Sequence, residues 1–134
     1  MVWPGKYSDA NAYGDDEIGR SAAKRRHREF IQFLYDLSND LYALWLDNEM
    51  QYTCAYFNDW SESLEQAQFN KMDMVARKLR LQPGDRVLDT GCGWAGLTCH
   101  MAKYYGVRVH SVTLSRAQYE WGVAKVKELG LEDQ

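Results

Sequence analysis

The sequence predicts an α/β protein in which a helical N-terminal section runs into the start of a doubly wound parallel sheet. Three observations carry this expectation. Apolar residues recur at helical spacing at Met72, Val75, Ala76 and Leu79. Two short strand-like runs, 86–90 and 107–113, are separated by a stretch too long for a hairpin. Between them stands a glycine-rich turn followed by a helical pattern, so strand, helix, strand and helix follow in order.

Each element has a local reason. Residues 1–20 are polar, without a period, and read as a flexible N-terminal arm. Residues 21–82 form the helical section. A basic run (Lys24, Arg25, Arg26, His27, Arg28) precedes Phe30, Ile31, Phe33 and Leu34 on one predicted helix. A short helix follows within 36–47, with Ser38 or Asn39 as N-cap. Residues 48–60 show no period and read as a loop carrying aromatics. Tyr42, Trp45, Tyr52, Tyr56, Phe57 and Trp60 form either a core cluster or the lining of a ligand pocket. Ser63-Leu64-Glu65-Gln66 has the form of a capping box opening the next helix, which Pro83-Gly84 is expected to stop. Residues 83–134 form the first β-α-β-α of a cofactor-binding domain. Val87-Leu88 is the expected buried part of the first strand, and helices are expected over 95–105, ended by Gly106, and from Ser115 to about Gly130.

Composition limits the function classes. With 26% charged and 46% hydrophobic residues, 2 Pro and 10 Gly, the 134 residues suit one globular domain. A net charge of −3 argues against a general nucleic-acid binder. Cys54, Cys92 and Cys99 are odd in number and lack C-x-x-C spacing, so neither a disulfide framework nor a structural metal site is expected. Met1-Val2-Trp3-Pro4-Gly5 lacks the apolar core of a signal peptide, and a cytoplasmic location is expected.

Gly91-Cys92-Gly93-Trp94-Ala95-Gly96 matches G-x-G-x-x-G between a strand and a helix, where glycines let a ligand approach the backbone and a helix N-terminus. The pattern alone leaves a dinucleotide, S-adenosylmethionine and a plain tight turn open. A dinucleotide site wants an acid at the end of the second strand, where this chain has His110-Ser111-Val112-Thr113. The acid here, Asp89, instead precedes the loop. It suits a cationic sulfonium and its amino-acid part better than a pyrophosphate, which it would repel at close range. S-adenosylmethionine is therefore preferred to NAD.

Around that loop the sequence resembles the cyclopropane-fatty-acyl-phospholipid synthases and mycolic acid cyclopropane synthases. Residues 89–96 resemble their D-x-G-C-G-W-G-G loop. Residues 35–42 are similar to Y-D-x-S-N-D-F-Y, residues 52–57 to Y-S-C-A-Y-F, residues 64–68 to L-E-x-A-Q, and residues 113–118 to T-L-S-x-x-Q. The resemblance implies a Rossmann-like S-adenosylmethionine-dependent methyltransferase fold, incomplete in this chain. It also implies methyl or methylene transfer to the double bond of an unsaturated acyl chain in lipid biosynthesis. By position, Tyr52, Thr53, Gly91, Gly93, Thr113, Leu114 and Gln118 match cofactor-lining residues, and Cys54 matches a cysteine that helps hold bicarbonate. Asp89 and Trp94 join the candidate cofactor residues through the loop itself. Each has a plainer reading. Gln118 closes a capping box with Ser115, Cys54 is a small buried hydrophobe, Trp94 packs under the loop, and Asp89 braces the turn.

Departures are Leu34, where the family has histidine, Asn48, where it has proline, and Thr53, where it has serine. The resemblance covers only the front part of a family enzyme, so a truncated form with an exposed apolar sheet edge is expected. The alternatives are a catalytically incomplete cofactor-binding module, which pairs with a second copy or a complementary chain, and an NAD-dependent oxidoreductase fragment. The basic run reads either as a solvated stripe on a helix whose apolar residues pack on the domain or, as the lipid substrate implies, as peripheral contact with the inner membrane surface through Lys24, Arg25, Arg26 and Arg28.

Overall fold

The computed structural model describes residues 25–26 and 38–134. The arm expected over 1–20 and most of the basic helix, including Lys24 and Arg28, lie outside the described residues. Arg25 and Arg26 are helical and exposed. Six elements follow in order: α1 (Asn39–Ala43), α2 (Leu64–Lys78), β1 (Arg86–Thr90), α3 (Gly96–Tyr105), β2 (Arg108–Val112) and α4 (Arg116–Glu128). Among the described residues no helix is long and apolar enough to cross a membrane.

Ser38 caps α1, its hydroxyl accepting the Asp40 N–H at 3.1 Å. The chain from 44 to 63 has no regular element, and its inner end is built around one buried acid. Asp47 accepts the Glu49 N–H at 3.1 Å and the Gln51 N–H at 2.7 Å, which supports Met50 in a left-handed conformation (φ 55°). The aromatic stretch divides. Tyr42 is buried against Trp94, whereas Tyr52, Tyr56 and Phe57 are about half exposed and Trp60 is 101% exposed. A single core cluster is therefore not what these rings form.

Helix α2 begins as predicted at Ser63, whose hydroxyl accepts the Gln66 N–H at 3.2 Å. The reciprocal half of the box is replaced, because the Gln66 amide donates to Asn70, one turn on. Met72 and Ala76 are buried and Val75 is half-buried. Leu79, expected on the same face, is 55% exposed because the helix has already ended there. Pro83-Gly84 does not stop α2. A Schellman turn does: the left-handed Arg80 (φ 55°) donates to the Arg77 carbonyl and Leu81 to that of Ala76. Leu81 then packs against the Ala76 cluster. The same turn closes α4, with Gly130 (φ 66°) donating to Lys127 and Leu131 to Val126.

Strands β1 and β2 pair in parallel, from Arg86 opposite Arg108 to Thr90 opposite Val112, with α3 as the crossover. Side chains alternate across a pleated sheet, so Val87 and Asp89 share the half-buried face with Val109 and Ser111. Leu88 therefore points away from that face and is 64% exposed, not buried with Val87 as expected. Val112 is exposed as well, so the open apolar surface is a sheet face as much as an edge.

On the covered face α3 packs against α2, where Ala76, Met101 and Val107 form one core cluster. The Tyr105 hydroxyl donates to Asp73 at 2.6 Å. Ala95, Cys99, Ala102 and Leu131 form a second cluster, and Tyr42, Met50 and Trp94 a third.

His100 lies in the α3 interface, buried between Phe69 and Tyr104 at ring distances of 5.0 and 4.8 Å, with its Nε2 unpartnered. Burial holds its pKa below the usual 6.5, although the Asp73 and Glu49 carboxylates pull the other way. As pH falls below about 6.5 the unfolded chain takes up this proton before the folded one, so stability is lost on acidification. Thermal unfolding from pH 7.5 to 5.5 should show a falling midpoint, and His100→Leu should flatten that slope. An unchanged slope would mean that His100 carries none of it.

Candidate functional site

At the carboxyl ends of β1 and β2 lies a cavity of about 420 Å³, within the usual range of small-molecule pockets. The ends of the strands in an open parallel sheet are where ligands sit. A second cavity, of about 450 Å³, opens between α3 and α4 beside Phe69, His100 and Trp121, away from the glycine turn.

Three separated stretches bring the expected residues to the first cavity. Tyr52 and Thr53 come from the loop before α2, Asp89, Gly91, Gly93 and Trp94 from β1 and its turn, Thr113 and Leu114 from the connection after β2, and Gln118 from the first turn of α4. All nine residues expected at a cofactor site thus line one space. Cys54 does not line it and is exposed, so the small-buried-hydrophobe reading of this residue fails.

The glycine turn leaves the backbone bare. Gly91 (φ 84°) and Gly93 (φ 56°) are left-handed, and a Cβ on either would meet nothing within 4 Å. The Gly91 and Cys92 N–H groups donate to the Val112 carbonyl at 2.9 and 3.0 Å, which ties the turn to the end of β2. Asp89 faces α3 and accepts a 2.9 Å hydrogen bond from the Thr98 hydroxyl, which lies 2.7 Å from Ser111 Oγ. A side chain on α3, and not only the turn's own amides, therefore orients the carboxylate. Burial and the neighbouring Asp89 push the Cys92 thiol up, which disfavours the nucleophilic thiolate.

At the far wall Ser115 caps α4, accepting the Gln118 N–H at 3.2 Å. The return bond is relayed through Thr113, which donates to Gln118 Oε1 at 2.7 Å and accepts the Ser115 N–H at 3.3 Å. Capping and cavity lining are both done by Gln118. Trp94 is likewise both packing and wall: its ring is 1% exposed, 4.8 Å from Tyr42, and its Nε1 donates to Asn39 at 2.7 Å.

The loop carrying Tyr52 and Thr53 is held from α2. Buried Gln68 donates to the Thr53 carbonyl at 2.8 Å. One turn on, Lys71 donates to Thr53 Oγ1 at 2.9 Å and to Gln51 Oε1. Lys71, Met50, Gln51, Val75, Cys92, Leu97 and Ser115 also line the cavity and were not singled out from the sequence as ligand contacts. The spacing of Gln68 and Lys71, three apart on one polar flank of α2, is the signal that could have found the lysine. Among the described residues no cluster of metal-ligating side chains occurs.

A bare glycine turn after a parallel strand, an acid just before it and a capped helix beyond the second strand define the front of a Rossmann-like S-adenosylmethionine-dependent methyltransferase fold. Comparison with solved structures agrees. The cyclopropane synthase MmaA2 of Mycobacterium tuberculosis superposes with a TM-score of 0.74 at 40% identity, over 76% of this chain and 36% of that one. The mycolic acid cyclopropane synthase CmaA1, solved with SAH and CTAB, gives 0.73 at 40% identity, over 75% and 35%. The family described as mycolic acid cyclopropane synthetase matches residues 22–134, and the chain belongs to it. A probable fatty acid methyltransferase of Pseudomonas putida is 48% identical over 86% of this chain and 29% of its own length. The cyclopropane-fatty-acyl-phospholipid synthase of Escherichia coli K12 is 54% identical over 63% and 22%. The chain thus spans between a fifth and a third of the length of these curated relatives.

Proposed function

We propose that this chain forms the cofactor-binding front of an enzyme that transfers a methyl or methylene group from S-adenosylmethionine to the double bond of an unsaturated lipid acyl chain. The observation that supports it most is the convergence of all nine candidate residues on one cavity at the strand ends. The cavity fits the group, because Gly91 and Gly93 leave open space where side chains would stand. S-adenosylmethionine supplies, when bound, an electrophilic methyl group on a positively charged sulfur. The chain's own residues bind and orient. Asp89, fixed by Thr98, offers a carboxylate to positive charge, and Tyr52, Trp94 and Leu114 give the cavity an apolar, aromatic wall. The Thr113–Gln118 pair fixes the polar side opposite.

The lipid part of the proposal draws on the relatives' names and on CTAB, a long-chain amphiphile, in the CmaA1 complex. Bicarbonate as proton acceptor rests on Cys54, whose exposed thiol follows Thr53 directly. Membrane contact through the basic run is a further part, with Arg25 and Arg26 exposed.

Calorimetric titration of the chain with S-adenosylhomocysteine and with NAD tests the cofactor reading. We expect the homocysteine compound to bind at least about tenfold more tightly, a difference of roughly 1.4 kcal/mol, and Asp89→Ala to weaken it. Tighter NAD binding, or indifference to Asp89→Ala, would overturn the reading.

A further inference from the structure

We propose that Lys71 receives the α-carboxylate of the ligand's amino-acid portion and so makes the cavity selective for ligands that carry an intact amino acid. The inference rests on the cofactor reading above and adds to it a residue and the chemical group that it recognises.

Lys71 lies on α2, half-buried, and lines the cavity, its ammonium bonded to two residues that also line it, Gln51 and Thr53. An ammonium has three N–H donors. Two are engaged, by Gln51 Oε1 and by Thr53 Oγ1, and both acceptors are neutral. Among the described residues no carboxylate lies in contact with this cation. Asp47 attracts it from farther off, while the Asp47 oxygens accept the Glu49 and Gln51 amides. Burial lowers the Lys71 pKa, and the attraction of Asp47 and Cys54 offsets this only in part. A cation so placed is costly in the empty cavity and favourable toward an anion that enters it.

Asp89 is the carboxylate that lines the same cavity. One fixed cation and one fixed anion match an α-amino acid zwitterion, with Lys71 for the carboxylate and Asp89 for the ammonium. The third N–H of Lys71 and the Thr53 hydroxyl together offer two donors to one carboxylate, a charge-assisted arrangement. A purely structural lysine, one that merely holds the Gln51–Thr53 loop, would support every ligand of the cavity alike. A carboxylate-reading lysine would not.

Two probes separate these roles: S-adenosylhomocysteine, which carries the amino acid, and methylthioadenosine, which lacks both its carboxylate and its ammonium. Both are titrated calorimetrically into the 134-residue chain and into Lys71→Met and Lys71→Arg variants. The thermal midpoint of each variant is checked, and Lys71→Gln is the replacement if Lys71→Met does not fold. Loss of a charge-assisted bond should weaken S-adenosylhomocysteine by roughly ten- to a hundredfold and leave methylthioadenosine within about twofold. Lys71→Arg should restore most of the loss. Equal weakening of both probes, or of neither, would overturn the proposal. Failure of the unmodified chain to bind either probe would instead remove the cofactor reading itself, and the role of Lys71 with it.

Discussion

Replacing Gly96 by alanine should cost the protein about 3 kcal/mol of stability and abolish ligand binding. Gly96 opens α3 where the loop before α2 crosses it, and the two backbones touch. A Cβ at this position would overlap both the Glu49 carbonyl oxygen and the Gln51 amide nitrogen. The glutamine could turn aside, but the carbonyl belongs to a segment pinned by Asp47 at two amides and by the 2.5 Å Lys125–Glu49 ion pair. Either the loop or the start of α3 must therefore move. Gln51, Tyr52 and Thr53 ride on that loop, so the movement opens one wall of the cavity. Gly122→Ala is the control, because its Cβ would meet the Ala95 methyl at 3.1 Å and needs only a small yield. Urea unfolding and S-adenosylhomocysteine titration of both variants measure the difference. A Gly96→Ala protein as stable as Gly122→Ala would show that the crossing is looser than described.

The elements that the sequence exposed are those set by rules acting over one or two turns. Ser38, Ser63 and Ser115 each cap the helix they precede, because a hydroxyl at that position satisfies an amide whatever the tertiary context. The parallel strands and the glycine turn follow from the order of patterns, and the pairing of 86–90 with 108–112 agrees. What was not legible depends on partners distant in sequence. Leu79 reads as the fourth apolar position of α2, yet the Schellman turn at Arg80, stabilised by Leu81 packing on Ala76, ends the helix first. Leu88 looks like core in a run of apolar letters, and only the pleat and the one covered face decide that Val87 goes in and Leu88 goes out.

The same division runs through the candidate site. Asp89, Gly91 and Gly93 are visible because their chemistry is bound to one turn. Lys71 and Gln51 come to the cavity only because Gln68 and Lys71 grip a loop 15 to 20 residues earlier in the chain. Cys54 shows the converse: its neighbours Tyr52 and Thr53 line the cavity, yet Cys54 itself is exposed and does not.

Trp94→Ala should be at least as damaging to stability as Gly96→Ala, at about 4 kcal/mol, and the comparison with Trp94→Phe tells which of its contacts matter. The indole is almost completely buried in the cluster of Tyr42 and Met50, with Leu46 and Trp121 against it. Its N–H donates to Asn39 Oδ1, and the Asn39 amide donates in turn to the Ala117 carbonyl at 3.4 Å, so α1, the glycine turn and α4 meet at this ring. Phenylalanine keeps most of the apolar contact but leaves Asn39 Oδ1 without its indole donor, a loss of about 1–2 kcal/mol. Alanine removes the ring itself and empties the space that keeps α1 against the turn. Because Trp94 also lines the ligand cavity, affinity for S-adenosylhomocysteine should fall in the same order, alanine far below phenylalanine. Chemical denaturation gives the first quantity and titration the second. Equal destabilisation by the two variants would place the weight of the interaction on the Asn39 hydrogen bond. A Trp94→Ala protein that kept its stability while losing affinity would instead mark the ring as a ligand contact with little part in the core.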